Sequence, residues 1–131
     1  MKKVFLLLLV TGLFFLNGCA DNAQRLPTQV WKNLYVTIET RPPTVQKGMN
    51  EFLVIVNEDQ KRVAHDLIVT MQIKGQTKTH QGIQDGHVGV YRRAVNVSDP
   101  TTDILIVKIE RDGEVGFLEF HLNEQRKKDN N

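Results

Sequence analysis

The chain has 131 residues, with 17 Lys and Arg against 15 Asp and Glu, and a single cysteine. That length suits one domain with its own core, and the near-balanced charge excludes the clustered positive footprint of a nucleic-acid-binding protein. One cysteine excludes an internal disulfide, so packing alone must hold the fold.

Met1-Lys2-Lys3 opens the chain, and an apolar run of 13 residues follows, from Val4 to Leu16. A membrane-spanning helix needs about 20 apolar residues, whereas the apolar part of a secretory signal takes roughly 7–15. The run ends in Leu16-Asn17-Gly18-Cys19, with a small residue directly before the only cysteine. The stretch resembles the bacterial lipobox. That resemblance implies cleavage between Gly18 and Cys19, a cleaved signal over residues 1–18, and acylation of the Cys19 thiol. One fatty chain binds a membrane marginally and two or more anchor stably. The expected place is therefore a lipid anchor on the bacterial envelope. Ala20 rather than Asp follows Cys19, which leans towards the outer membrane in a cell that has one. Lys2 and Lys3 account for the whole excess of positive charge, so residues 19–131 carry equal numbers of each sign.

Residues 19–30 are polar and contain Pro27, the pattern of a tether between lipid and domain. Trp31 follows, placed to plug one end of a domain or to touch lipid headgroups. From there the apolar period is two. Leu34, Val36 and Ile38 alternate with Tyr35, Thr37 and Glu39. Phe52 to Val56 is apolar on both faces. Leu67, Val69, Met71 and Ile73 share a face, and a short weak strand is expected near Thr77 to Gln81. Tyr91, Val95 and Val97 share another, then Leu105, Val107 and Ile109, then Leu118, Phe120 and Leu122. Turn formers separate these runs: Arg41-Pro42-Pro43, Asn57 to Gln60, Asp85-Gly86, Ser98-Asp99-Pro100, and Asp112-Gly113 as a tight hairpin. No helical spacing follows the signal. The pattern predicts an all-β sandwich of about seven strands over residues 31–122, with residues 123–131 as a frayed polar tail.

Several stretches are similar to YtkA-like and FixH-like domains. They are Pro43 to Asn50 leading into Phe52 to Val56, Val63 to Met71, Gly89-Val90-Tyr91, and Ile104 to Ile109. The resemblance covers roughly Val36 to Leu122. It implies an immunoglobulin-like sandwich tethered to a bacterial envelope, in a group some of whose members handle copper or other cations.

Four histidines are the first candidates for chemistry: His65, His80, His87 and His121. His80 and His87 flank a glycine-containing loop, and Met71 lies in the strand before it. Imidazole and thioether suit copper in an exported protein, with Asp85 or Met71 as a further ligand. Against this, no tight ligand spacing exists, and Met71 is in phase with buried Leu67 and Val69. Solvated loop histidines are the plainer account. Ser98, the only serine, lies in a turn without a nucleophile elbow. The aspartates sit at turns and form no acid–base pair. Arg92 and Arg93 are adjacent in a strand and so face opposite sides. They read as charge that protects a sheet edge or as a contact for a partner. No nucleophile–base pairing emerges, so an enzyme is not expected. The leading expectation is a non-enzymatic binding or accessory module with an envelope protein as partner. The alternative is a copper-binding module using His80, His87 and Met71.

Overall fold

The computed structural model describes residues 24–59, 61–86 and 89–125. Among these, ten strands are formed: β1 (Gln29–Trp31), β2 (Leu34–Arg41), β3 (Gly48–Glu58), β4 (Arg62–Val63), β5 (Ile68–Ile73), β6 (His80–Gln81), β7 (Ile83–Gln84), β8 (Val90–Val97), β9 (Ile104–Arg111) and β10 (Glu114–His121). One sheet runs β1-β2-β3-β8-β7, with β4 also paired to β3, and the other runs β10-β9-β5-β6. Every pairing is antiparallel. The two sheets enclose one core, which makes an all-β sandwich. No helix among the described residues is long and apolar enough to cross a membrane.

The alternation places the core. Val36 and Ile38 of β2 meet Val54 and Val56 of β3, while Val69, Met71 and Ile73 of β5 and Leu105, Val107 and Ile109 of β9 close from the opposite sheet. Phe52 and Phe120 are the largest side chains with almost no exposure. Leu53, on the outer face of β3, is also buried. It stands in register between Glu39 and Arg92, whose longer side chains flank it. Such shielding by the stems of charged residues is how an apolar side chain avoids water on a solvated face. The Asp112-Gly113 turn has φ of 53° and 79°, the double positive φ of the primed hairpin that its sequence predicts.

Two expected boundaries are corrected. The expected tether runs to residue 30, but the chain is fixed from Arg25 onward. Leu26 is buried, its N–H donates to the Ile38 carbonyl at 3.0 Å, and Arg25 Nε donates to Glu39 at 2.7 Å. A main-chain attachment along β2 leaves little trace in the side-chain pattern, so only one leucine marked it. The expected tail begins at residue 123, but residues 123–125 belong to the sandwich, and residues 126–131 lie outside the described residues. Leu122–Glu124 form a 3-10 turn with Leu122 buried. Gln125 then accepts the Val45 N–H at 2.8 Å and donates to Thr40 Oγ1 at 2.7 Å and to the Pro43 carbonyl at 3.0 Å. A polar side chain does the work of a plug here, which composition could not show.

Trp31 packs against the core from the flank where β1 meets β10. Its indole lies directly on Gly116, where any Cβ would overlap the ring. The Lys32 ammonium sits 5.2 Å from the ring centroid and pairs with Glu114. Gln29 donates from its side chain to the Glu119 carbonyl. The β10 edge is thus partly covered by side chains rather than by a strand.

Candidate functional site

The opposite flank is less complete. Between His80 and Gln84 the chain passes from one sheet to the other. β6 pairs with Thr70 and Met71 of β5, and two residues later β7 pairs with Tyr91 and Arg92 of β8. Gly82 sits at the crossing, where its N–H donates to the Val69 carbonyl at 2.8 Å. A Cβ there would lie 3.0 Å from Tyr91 Cβ and 3.3 Å from the Val69 carbonyl, so close approach calls for glycine.

The crossing leaves β8 half covered. Asp85 N–H bonds the Val90 carbonyl at 2.9 Å, and Val56 N–H bonds the Gly89 carbonyl at 2.8 Å. Successive residues of a strand direct their main-chain groups to opposite neighbours. Odd-numbered residues of β8 therefore face β3, and even-numbered residues face β7. β7 reaches only Tyr91 and Arg92, so among the described residues the main-chain groups of Ala94 and Asn96 face an open edge. Asn96 has its carbonyl met by Gln76 Nε2 at 3.4 Å, the long end of hydrogen-bond range.

A groove of about 580 Å³ follows this edge. Met49 and Ile83, each 58 % exposed, supply apolar surface beside Ala94. Arg92 crosses one end, its Nε 2.8 Å from Glu51 and its Nη1 2.8 Å from Asp85. Those two carboxylates hold the Arg92 guanidinium above its ordinary range, the Asp85 hydrogen bond contributing most. Both acids of the groove are thereby engaged. Arg93 and Lys78 form no ion pair among the described residues. Arg93 shares the inward phase of Tyr91 and Val95 and stands in register with Phe52, yet it is exposed. It lines a cleft with Gln81 and Gly82, where the crossing leaves the flank open. The two arginines thus separate as strand geometry demands, Arg92 to the outer face and Arg93 to the flank.

His80 lines the same groove. Its pKa is lowered from 6.5, first by desolvation and then by Lys78 and Arg93. A potential that repels the proton also repels a metal cation. Met71 stands opposite His80 in the register but has no exposed surface, so an ion reaching its sulfur would have to enter the core. Asp85 is held by Arg92, and His87 lies outside the described residues. His65, between β4 and β5, and His121, at the end of β10, are exposed elsewhere. Among the described residues no group of three His, Cys, Asp or Glu is placed to hold a metal ion. The His80, Met71 and Asp85 parts of the copper set are therefore not assembled. Ser98 and the nearby aspartates do turn work: Asp103 accepts the N–H groups of Ser98 and Asp99 at 2.8 and 3.1 Å, and Asp99 accepts from Thr101. Cys19 and Gly18 also lie outside the described residues.

Sequence reasoning singled out His80, Arg92 and Arg93 but missed Lys78, Met49, Ile83 and the open stretch at Ala94 to Asn96. The lone Ile83 between Gly82 and Gln84 was the one available signal, an apolar residue in a polar stretch.

The arrangement defines a class: an all-β sandwich with a half-open strand and a cationic groove beside it. Comparison with protein-family models, curated proteins and solved structures finds no match to this chain.

The electrostatics of the groove can be checked directly. Replacing Lys78 and Arg93 together by glutamine raises the His80 pKa towards 6.5 but not fully to it, because desolvation is the larger cause. A depressed histidine pKa contributes stability above the unfolded value, and that contribution is lost as pH falls through the folded value. The same double variant should thus flatten the loss of stability below about pH 6.5. Titration of the His80 ring by NMR reads the shift, and an unchanged pKa would remove the cationic account.

Proposed function

We propose that this protein is a lipid-anchored lipoprotein of the bacterial envelope whose sandwich serves as a non-enzymatic binding module. The observation that carries the binding part is the β8 edge, half open among the described residues, lying beside cations that have no ion-pair partner among those residues. A strand edge left open is a template for pairing, and proteins normally cover such edges. The anchoring part is carried by Met1 to Cys19, a charged start and a short apolar run ending at the only thiol. The resemblance of several strands to YtkA-like and FixH-like domains supports an immunoglobulin-like sandwich on the envelope, and Ala20 favours the outer membrane in a diderm cell.

The two parts are connected by length. Among the described residues the chain is already attached at Arg25 and Leu26, so at most residues 20–24 separate Cys19 from the domain. A fully extended chain covers at most about 3.3–3.6 Å per residue, so six steps reach roughly 20 Å. An acylated Cys19 holds the domain within that distance of the bilayer. Its partner is then expected at the membrane surface.

Cys19→Ser tests the anchor. The wild-type protein should partition with membranes and have the mass of a chain beginning at an acylated Cys19. The variant should keep residues 1–18 and incorporate no labelled fatty acid. A wild-type chain with an unmodified cysteine would overturn the reading. A photo-crosslinking residue at position 94, compared in living cells with one at position 70 on the other sheet, tests the module. Adducts should form at position 94 and not at 70. No adduct at 94, or the same adducts at both, would count against it.

A further inference from the structure

Resting on the binding-module reading, we propose that the open half of β8 takes up an extended acidic segment of a partner protein as an added strand. Its main chain would pair with Ala94 and Asn96. The added strand would prolong the line of β7, the place from which the chain departs at Gly82 to join β5. Adding a strand to a free edge lets the main chain supply affinity, while alternate side chains supply specificity.

Two features of the groove select the segment. The first is charge. Glu51 and Asp85 are already bound to Arg92, whereas Lys78 and Arg93 lack ion-pair partners among the described residues. An incoming carboxylate would meet cations without displacing an existing pair. The second is the strand period. Arg93 lies in the phase of the flank, towards the β6 side, while Ala94 and Arg92 lie in the outer phase with Met49 and Ile83. Neighbouring residues of an added strand point to opposite faces. Acidic residues would face Lys78 and Arg93, and apolar residues would cover Met49 and Ile83. The sequence sought is therefore an alternation of acidic and apolar residues. Gln76 at 3.4 Å from the Asn96 carbonyl is the existing partner to be displaced.

The competing account is that Arg93 and Lys78 only protect the edge against pairing. The two accounts differ in what binds. The probe is a fluorescein-labelled heptapeptide of alternating glutamate and valine, titrated by anisotropy against the full chain in neutral detergent micelles. Controls are the lysine–valine counterpart and the glutamate–valine peptide N-methylated on its strand-facing amides. The acidic peptide should bind saturably and weaken as salt is raised. Hydrogen exchange at Ala94 and Asn96 should slow on binding. Charge reversal by Lys78→Glu with Arg93→Glu should weaken the acidic peptide at least ten-fold. The pair of glutamine substitutions at the same positions should weaken it less, which separates charge from misfolding. The lysine and N-methylated peptides should not bind. Failure of the acidic peptide, equal binding of both charge types, undiminished binding of the N-methylated peptide, or unchanged exchange at Ala94 would each overturn strand addition. If the peptide fails while position 94 still crosslinks specifically in cells, the binding module stands and strand addition falls. If both fail, both readings fall.

Discussion

Phe52→Ala should lower the free energy of unfolding by about 3–5 kcal/mol, the range found when a large buried aromatic is cut back to alanine. Phe52 has no exposed surface. It lies in β3, which is bonded to β2 on one side and β8 on the other, with Thr40 and Arg93 as its register partners. Both neighbours are held by main-chain ladders, so the sheet cannot collapse into the space left behind. A cavity that cannot collapse sits at the upper end of the cost. Domains of this size are commonly stable by only about 5–15 kcal/mol, so the variant should stand close to unfolding. Urea denaturation checks the value, and the slope against urea should be unchanged if only packing is lost. A loss near 1 kcal/mol would mean that Phe52 is not central to the core.

Gly89→Ala should be the next most damaging single change, at about 2–4 kcal/mol from strain in the left-handed region together with overpacking. Gly89 has φ of 87°, and a Cβ there would lie 2.5 Å from Val63 Cγ1 and 2.8 Å from the Val56 carbonyl. The valine is short and stiff, and the carbonyl belongs to the ladder. Gly48 provides an internal control. Its φ is 102°, but nothing lies within 4 Å of a Cβ. Gly48→Ala should therefore cost only the conformational part, about 1–2 kcal/mol. The difference between the two variants isolates the steric overlap. Equal losses would mean that β4 moves aside freely. Gly89 directly precedes β8, so its replacement should loosen the pairing of Asp85 with Val90 and with it the wall of the groove.

The strands that could be predicted share one property. β2, β5, β9 and β10 each bury a single face, so water enforces the apolar alternation and the alternation appears in the sequence. Met71 follows this rule, being buried in the phase of Val69 as its spacing implied. β3 was expected to be apolar on both faces. Leu53 is indeed buried, while Ile55 is only half-buried, because charged side chains cover the first more fully. β1, β4, β6 and β7 are two or three residues long and are held by main-chain bonds to a neighbour. A segment so short carries no period.

By itself the sequence determined the class of fold, the Asp112-Gly113 hairpin, the balanced charge and the short apolar run that ends at the only thiol. These depend on local chemistry: which side chains avoid water, which turns a dipeptide permits, which thiol follows a short apolar run. Only the tertiary structure decided that residues 25–30 and 122–125 join the sandwich, that Met71 is sealed from the groove, and that β8 is left half open among the described residues. The last depends on where one glycine lets the chain cross between sheets. It brings Lys78, which precedes β6, beside Arg93 and Ala94 of β8, and no pattern along the chain encodes a meeting made across it.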